Sequence, residues 1–211
     1  MDLFPLRRML KGKLLDIAEL QDKLLIEMLS RFDIVLHGGT AIWRVYGGKR
    51  FSFDIDVYHE KPEEILGHFR RAEDFRMVKG KATGSGVVYM RFTEKGIGAE
   101  VDISPAFKDI KATDGEYHLV DGGTLVLKTL SPSTLLGEKI DAFRSRKKAR
   151  DLYDIFYLLD KADMRGLRRK LRELEPLETP RDFSGLKEIL LLGKVPDFGT
   201  ITRKVRMYAK D

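Results

Sequence analysis

Two aspartates on one predicted strand are the residues of this chain best placed to do chemistry. In the segment RFSFDIDVY, polar residues alternate strictly with apolar ones, which predicts a half-buried β-strand. Its polar face carries Arg50, Ser52, Asp54 and Asp56. Asp54 and Asp56 would then project side by side, and like charges that close repel unless a cation lies between them. Mg²⁺ prefers carboxylate oxygens and binds substrate phosphates, so the strand predicts a magnesium site.

A third carboxylate is expected on a later strand. Two aspartates alone cannot hold a pair of Mg²⁺ ions and also activate a nucleophile. The segment AEVDIS places Glu100 and Asp102 on one strand face, and both are candidates. Arg50 also has two interpretations, because it either neutralises a phosphate or pairs with Asp54 in a structural ion pair.

A glycine pair lies shortly before the aspartate strand. Residues 33–37 predict a buried strand and residues 40–46 a short helix, with Gly38 and Gly39 between them. Such a junction presents backbone N–H groups and the positive end of a helix to a phosphate. Thr40 can cap the helix or donate its hydroxyl to a phosphate oxygen. The chain contains no GxxxxGK motif, which excludes a P-loop.

The composition excludes several classes of protein. The chain has 211 residues, of which 43% are hydrophobic, enough for a folded core. The absence of cysteine excludes disulfides, thiol catalysis and zinc–thiolate sites. No apolar run has the length of a membrane span and the N-terminus lacks a signal peptide, which predicts a cytoplasmic protein with no membrane partner. The chain has no asparagine, one glutamine and 34% charged residues, which is typical of thermophile proteins.

Positive charge is concentrated in one segment. The formal net charge is +6, and residues 139–172 alone hold twelve Lys or Arg against five Asp. Because the rest of the chain is close to neutral, this segment predicts a polyanionic partner such as nucleic acid. The alternative is a solvated helical face with no partner.

The predicted elements divide the chain into two parts. Helices are predicted over residues 6–31 and 63–73, and strands over 87–93 and 99–103, joined as a hairpin. Residues 117–127 predict a further hairpin around Gly122 and Gly123. After Ser131 the pattern is helical in several segments to residue 209. We therefore expect an α/β domain over residues 1–130 and a helical, basic domain over residues 131–211.

The combined motifs resemble the DNA polymerase β-type nucleotidyltransferase superfamily. The shared pattern is Gly-Gly at a strand end, then Arg-x-Ser-x-Asp-x-Asp, then a carboxylate on a later strand. Within it, GGTAIWRVYGGKRFSFDIDVY is similar to the AbiEii/AbiGii toxin family of type IV toxin–antitoxin systems. The segment LLGEKIDAFRSRKKARDLYDIFYLL is similar to that family's helical motif. The resemblance implies the nucleotidyltransferase fold, a mixed α/β (α+β) sheet flanked by helices and followed by a helical half.

The resemblance also implies roles for particular residues. The nucleoside triphosphate would be bound by Gly38, Gly39, Thr40 and Lys139, with Arg50 and Ser52 on the polar face of the strand. Two Mg²⁺ ions would be held by Asp54, Asp56 and Asp102, which favours Asp102 over Glu100 as the third carboxylate. Lys139 would reach the phosphates, and Asp151 would position Lys139 or the base end of the nucleotide.

The two aspartates of the predicted helix RKKARDLYDIFYLL are expected to differ in burial. Asp151 lies at the edge of the apolar stripe and is predicted to be semi-buried, whereas Asp154 points further out. We expect Asp154 to be a surface partner of Arg150, one helical turn away. The basic residues around the helix start are predicted to bind nucleic acid, namely Arg146, Lys147, Lys148 and Arg150.

These features predict transfer of a nucleotide from a nucleoside triphosphate to an acceptor hydroxyl. RNA is the favoured acceptor, in particular the 3′ end of transfer RNA, and the resemblance implies a toxin with an antitoxin partner. One alternative is a transferase that acts on a small molecule or a protein hydroxyl. Another is a non-catalytic RNA-binding regulator.

Overall fold

The first unit of the protein is an α/β arrangement. The structure, a computed structural model, describes residues 6–106 and 110–210. The chain forms two compact units, one with residues up to 45 and 52–130, the other with residues 46–51 and those from 131 onward. The helices of the first unit are α1 (Leu6–Met9), α2 (Lys13–Leu29), α3 (Gly38–Arg44) and α4 (Pro62–Phe69). Its strands are β1 (Val35–His37), β2 (Asp54–His59), β3 (Met77–Ala82), β4 (Val88–Glu94), β5 (Ile97–Pro105), β6 (Ala112–His118) and β7 (Thr124–Leu130).

The described strands form one mixed sheet in the order β3-β4-β5-β2-β1-β7-β6. The pairs β2–β5 and β1–β7 are parallel, and the other neighbours are antiparallel. Parallel pairing of β2 with β5 is possible because α4 and the β3–β4 hairpin lie between them in the chain. The predicted α/β fold class is confirmed.

Apolar residues of β2 and β5 fix which face of the sheet is available for chemistry. Ile55, Val57, Val101 and Ile103 are fully buried. Helix α2 packs against β5, and α4 packs against β3, β4 and β5. Because side chains alternate along a strand, the aspartates of β2 and β5 lie on the opposite face from this apolar row.

A buried ion pair joins α2 to α3. Asp22 accepts hydrogen bonds from the Arg44 guanidinium, the Tyr117 hydroxyl (3.0 Å) and the Val120 backbone N–H (2.7 Å). The guanidinium also lies over the rings of Trp43 and Tyr117, 4.8 and 4.7 Å from their centres. A buried charge of this kind is tolerated only with such partners, so the position of α3 is strongly determined.

The second unit is helical. Its α-helices are α5 (Pro132–Arg146), α6 (Ala149–Leu158), α7 (Arg168–Arg172), α8 (Leu186–Ile189) and α9 (Phe198–Ala209). Ala149, Tyr153 and Leu186 form a buried cluster that also contacts Phe183 and Ile189. Ser131 is the N-cap of helix α5, and its side chain accepts a hydrogen bond from the Thr134 backbone N–H (3.2 Å).

The predicted strand beginning at Arg50 is wrong in its first four residues, since β2 begins at Asp54. Residues 49–51 instead pair with residues 189–191 of the second unit, through Phe51 N–H to Ile189 O (2.7 Å) and Leu191 N–H to Lys49 O (2.8 Å). These are tertiary contacts between distant segments, and the local alternation of residues carries no information about them.

Other predicted elements differ at their ends. The single helix predicted over residues 6–31 is interrupted before Lys13, where Gly12 has a φ of +51°. The helix predicted to residue 73 ends at Phe69. Strand β3 was not predicted because its sequence, MVKGKA, lacks a buried alternating face. The hairpin expected around Gly122 is present as β6 and β7.

None of the helices within residues 6–106 and 110–210 is both long and apolar enough to cross a lipid bilayer.

Candidate active site

Three carboxylates lie on neighbouring strands of the sheet. Asp56 on β2 is the register partner of Asp102 on β5, and Asp54 is the partner of Glu100. On the other side of β2, Asp56 is paired with His37 of β1. Register partners on adjacent strands project to the same face, so the fold places Asp54, Asp56 and Asp102 together.

The environment of Asp102 is dominated by burial and like charge. Burial, followed by the charges of Asp56, Asp54 and Glu100, raises the pKa of Asp102 to about 7, although His37 acts in the opposite direction. A carboxyl group whose ionisation is opposed by its neighbours is one that a bound cation would stabilise in the charged form. Burial and the neighbouring carboxylates therefore favour either a proton on Asp102 or a cation beside it.

Glu100, the other candidate for the third carboxylate, has a different environment. Its side chain is about half exposed, and its carboxylate lies 3.7 Å from the guanidinium of Arg91 on β4. Asp102 is less exposed and lies directly beside Asp56. The geometry thus favours Asp102, and its role as the third carboxylate stays a prediction.

Gly38 allows the carboxylate of Asp56 to approach the start of α3. Gly38 has a φ of +67°, and a Cβ atom added there would overlap the Asp56 carboxylate, lying against Oδ2. Glycine is therefore required both by the backbone conformation and by this close approach. The helix begins at Gly38 itself, two residues earlier than predicted, because β1 leads into it without an intervening turn.

Thr40 and Ser52 have structural partners that the sequence did not indicate. Thr40 is fully buried, and its hydroxyl donates to the Asp54 backbone carbonyl (2.5 Å) rather than capping α3. Ser52 is also buried and precedes β2, so it does not share the polar face of the strand as expected. Its carbonyl and that of Phe53 accept hydrogen bonds from the Gln21 side chain (3.0 and 2.9 Å). These contacts hold the segment that leads into Asp54.

The second unit contains a buried cluster of charges around Lys139. The Lys139 Nζ lies 3.0 Å from Asp154 Oδ2 and 3.4 Å from Asp151 Oδ1. Arg50 donates two hydrogen bonds to Asp154, from Nε to Oδ1 (2.6 Å) and from Nη2 to Oδ2 (2.5 Å). Arg146 binds Asp151 in the same two-point manner, at 2.7 Å for each bond. Both aspartates are thus held between two cations.

The expectation that Asp154 is a surface residue is wrong. Its side chain is 1% exposed, and it pairs with Arg50 and Lys139. Burial on its own raises the pKa of Asp154, but the charges of Arg50 and Lys139 outweigh it and hold that pKa below its usual range. Helix α6 is buried around most of its circumference, so an analysis based on one apolar stripe misplaced this residue. Its spacing of three residues from Asp151 is the signal that could have grouped the two.

Asp151 is fully buried, whereas a semi-buried position was predicted. Its contact with Lys139 is the arrangement expected of a residue that positions this lysine. Their role toward a nucleotide stays a prediction.

The basic residues at the start of α6 surround a cavity. A space of about 510 Å³ is lined by Arg146, Lys147 and Lys148, and by Arg181 on the segment that follows α7. Asp182 also lines it, accepts a hydrogen bond from the Ala149 backbone N–H (3.0 Å) and lies 3.9 Å from Lys148 Nζ. Arg146 and Lys148 therefore have carboxylate partners, and Arg150 lies half-buried on α6.

Comparison with known protein families identifies the chain. Residues 29–181 match the family model described as nucleotidyl transferase AbiEii toxin, type IV TA system. The chain belongs to this family. The predicted resemblance and the assignment as a nucleotidyltransferase are confirmed.

Solved structures support the fold of this AbiEii-family protein. The crystal structure of JHP933 from Helicobacter pylori matches with a TM-score of 0.66 and 22% identity, covering 95% of this chain and 91% of that one. A candidate nucleotidyltransferase from H. pylori matches with a TM-score of 0.65 and 21% identity, covering 95% and 94%. A comparison with curated proteins finds no match.

The carboxylate row of this AbiEii protein fits a hard divalent cation in its donor chemistry. Asp54, Asp56 and Asp102 supply the oxygen ligands that Mg²⁺ prefers, and burial together with the charges of Asp56, Asp54 and Glu100 raises the pKa of Asp102. As the side chains stand, however, no three His, Cys, Asp or Glu residues within the described part of the chain converge on one metal position. Binding would therefore require the carboxylates to turn towards a common point.

Replacing both Asp54 and Asp56 with Ala tests this fit by stability. Without metal we expect the double variant to melt at the same temperature as the natural chain or higher, because charge repulsion is relieved. Added Mg²⁺ should raise the melting temperature of the natural chain but not that of the variant, since ligand binding stabilises the folded state. Differential scanning fluorimetry at pH 8, with and without Mg²⁺, measures both effects.

The matched control is Asp114→Ala, which removes an exposed strand aspartate that pairs with Lys128 (2.8 Å). This variant should keep the Mg²⁺ shift. A large loss of metal-free stability in the double variant would show that Asp54 and Asp56 are structural. A Mg²⁺ shift that survives in the double variant would place the cation elsewhere.

Asp154→Asn tests the buried cluster. We expect the free energy of unfolding to fall by about 3 kcal/mol or more, because Arg50 and Lys139 then lie in a buried site without this carboxylate. Urea denaturation followed by circular dichroism measures the change. Asp163→Asn is the control, since that carboxylate pairs on the surface with Arg165, whose side chain is 91% exposed, and should change stability little. Equal effects of the two substitutions would contradict the structural importance of the cluster.

Proposed function

We propose that this AbiEii-family nucleotidyltransferase is Mg²⁺-dependent and transfers a nucleoside monophosphate to the 3′ hydroxyl of RNA, with transfer RNA as the favoured acceptor. Asp56 and Asp102 side by side on β2 and β5, with Gly38 against Asp56, are the observation that supports the proposal most. The type IV toxin family adds a toxin role and an antitoxin partner to the proposal. Because transfer RNA is the proposed acceptor, the proposal includes a cytoplasmic location for the protein.

In the first unit, different residues are assigned to phosphate binding and to metal binding. The backbone N–H groups at Gly38 and Gly39 bind phosphate oxygens, as N–H groups at the start of a helix do. Asp54, Asp56 and Asp102 would hold Mg²⁺, two ions in all, which when bound offsets the negative charge of the phosphates. Thr40 acts indirectly, because its hydroxyl holds the backbone of Asp54.

The transfer exchanges one bond to phosphorus for another. The acceptor oxygen forms a bond to the α-phosphorus, and the bond from that phosphorus to the bridging oxygen breaks, so that pyrophosphate leaves. The acceptor hydroxyl loses its proton to Asp102, which lies beside Asp56 at the end of the carboxylate row. Orientation of the hydroxyl by a fixed carboxylate lowers the entropic part of the barrier.

Lys139 and Asp151 are assigned to the triphosphate on the basis of the family motif. The Lys139 ammonium is oriented by Asp151 and Asp154. A lysine held in this way is suited to bind phosphate oxygens as they gain charge during departure of pyrophosphate. Arg50 supports the arrangement from the far side of Asp154.

RNA is preferred to a small acceptor because of the charge of the second unit. Residues 139–172 carry a local charge of +7, and the cavity beside α6 is lined by four cations against two carboxylates, Glu178 and Asp182. Contacts of this kind bind nucleic acid by its phosphates and without reading its sequence. A small hydroxyl compound needs no such surface.

A labelling experiment tests the reaction. Purified protein is incubated with Mg²⁺ and each α-³²P nucleoside triphosphate in turn, with and without total RNA. We expect label in a band of transfer RNA size with one or more of the nucleotides. The Asp54→Ala, Asp56→Ala double variant should reduce labelling by about a thousandfold or more, because the phosphate charge is no longer offset.

Other labelling results would change the proposal in defined ways. Label on protein, or pyrophosphate release without labelled RNA, would identify a different acceptor. Absence of any transfer by a folded, Mg²⁺-binding protein would favour a non-catalytic RNA-binding regulator.

Charge reversal separates RNA from small acceptors. The triple variant Lys147→Glu, Lys148→Glu, Arg150→Glu should raise KM for RNA by about tenfold or more, because each substitution places a negative charge near the phosphates. Steady-state kinetics over a range of RNA concentrations measures KM. The control Lys11→Glu, Lys13→Glu, Lys111→Glu changes the net charge equally at exposed sites of the first unit and should leave KM within about twofold. An unchanged KM in the first variant would favour a small-molecule or protein acceptor.

A further inference from the structure

A second cavity of about 510 Å³ in the helical unit combines aromatic rings with lysines. Its floor is formed by residues 153–161 of α6 and the turn that follows, including the rings of Tyr153, Phe156 and Tyr157. Lys49 lies on one side, and residues 192–196 form the other wall. We call this cavity the lysine–aromatic groove.

The charge of the groove is positive after its internal ion pair is taken into account. Asp160 is the one acidic lining residue, and it binds Lys204 (2.5 Å) and the Tyr208 hydroxyl (2.8 Å). Lys204 also lies over the Phe156 ring, 4.3 Å from its centre. The remaining lining cations are Lys49, Lys161 and Lys194. Within the described part of the chain, Lys49 and Lys194 pair with no carboxylate and are exposed.

The aromatic side of the groove is fixed in position. The Tyr157 hydroxyl donates to the Tyr46 backbone carbonyl (2.7 Å), which holds the ring. Lys161 lies 5.3 Å from the centre of that ring. Rings that are already held lose little conformational entropy when a ligand stacks on them.

The opposite wall is also held, and it presents an apolar side chain to solvent. The hydrogen bonds between residues 49–51 and 189–191 fix the start of this segment. Leu192, immediately after them, is 49% exposed although it is a large apolar residue. An exposed apolar side chain beside unpaired lysines indicates a surface that contacts a ligand with both flat apolar and anionic parts.

We propose that the lysine–aromatic groove binds a single-stranded segment of the nucleic-acid acceptor. Base faces would contact Leu192 and the rings of Phe156 and Tyr157, while Lys49 and Lys194 contact the backbone phosphates. Alternation of stacking surfaces with cations is how proteins bind single strands without sequence preference. In a duplex the base faces are stacked on one another and are not available to such a groove.

The inference rests on the proposed RNA acceptor and adds a second contact surface to it. The cavity beside α6 that holds Lys147 and Lys148 has cations but no aromatic lining. It can contact phosphates of any nucleic acid, whereas the groove distinguishes unpaired from paired strands. The two surfaces therefore predict different effects of substitution.

Binding measurements test the groove without relying on catalysis. The probes are a fluorescein-labelled twelve-nucleotide single-stranded RNA of mixed sequence and a duplex of the same length, followed by fluorescence anisotropy. The natural chain should bind the single strand more tightly than the duplex at equal salt. Lys49→Glu with Lys194→Glu should weaken single-strand binding by about tenfold or more and reduce the salt slope by about 1.4, since each phosphate contact contributes about 0.7.

Two further variants separate charge from stacking. Leu192→Ser should weaken binding of the single strand and leave the salt slope unchanged, because it removes apolar contact and no charge. Lys187→Glu is the control, since it reverses an exposed charge on α8 outside the groove and should change affinity less than twofold. The circular dichroism spectrum of each variant establishes that it is folded.

The proposal is overturned if the Lys49 and Lys194 reversal is no more harmful than Lys187→Glu, or if the duplex binds as tightly as the single strand. It is also overturned if Leu192→Ser has no effect, since charge alone would then account for binding. RNA labelling that is equal in the natural chain and the groove variants would remove the groove from the reaction and leave the proposed function intact. Groove-dependent binding without any RNA labelling would keep the groove and remove the proposed function.

Discussion

Strands β2 and β5 run in the same direction, and their register brings Asp56 and Asp102 side by side. This juxtaposition of like charges is the constraint on which the first unit depends. It requires a polar face on β2 and β5, a buried apolar row on the opposite face, and a glycine where α3 begins. The repulsion lowers stability and is typical of a functional site, where a protein accepts strain that other parts of the fold compensate.

Buried hydrogen bonds hold the backbone around the carboxylates in place. Thr40 holds the backbone of Asp54, and Gln21 holds the two residues before it. The buried pair of Asp22 and Arg44 determines where α3 lies. Thr40 and Gln21 thus fix the backbone at the start of β2 from buried positions.

In the second unit, unlike in the carboxylate row of the first, the buried aspartates are paired with cations. Its two buried aspartates, Asp151 and Asp154, are each bound by two cations, and Lys139 is shared between them. The cluster holds three cations and two carboxylates, so each carboxylate is paired and one positive charge is in excess. The lysine–aromatic groove, by contrast, leaves Lys49 and Lys194 unpaired within the described part of the chain, which is why we assign ligand binding to the groove.

The sequence predicted those features that depend on neighbours in the chain. Alternation placed Asp54 and Asp56 on one face, and the same pattern identified Glu100 and Asp102 as candidates, of which the family resemblance favoured Asp102. The sequence could not predict that Arg50 pairs with Asp154, because the two residues are 104 positions apart and no local pattern connects them. Strand β3 was missed for a related reason, since a strand with little burial has no alternation to recognise.

The short segment 46–51 gives the chain an unusual connectivity. It lies between α3 and β2 in sequence, both in the first unit, yet it belongs to the second. The polypeptide therefore crosses from one unit to the other three times, after residues 45, 51 and 130. Neither unit is a continuous piece of sequence that truncation could isolate. A fragment ending at residue 130 would carry Arg50 without Asp154 and residues 49–51 without their β-bridge partners, so exchange of this helical half between relatives must include both segments.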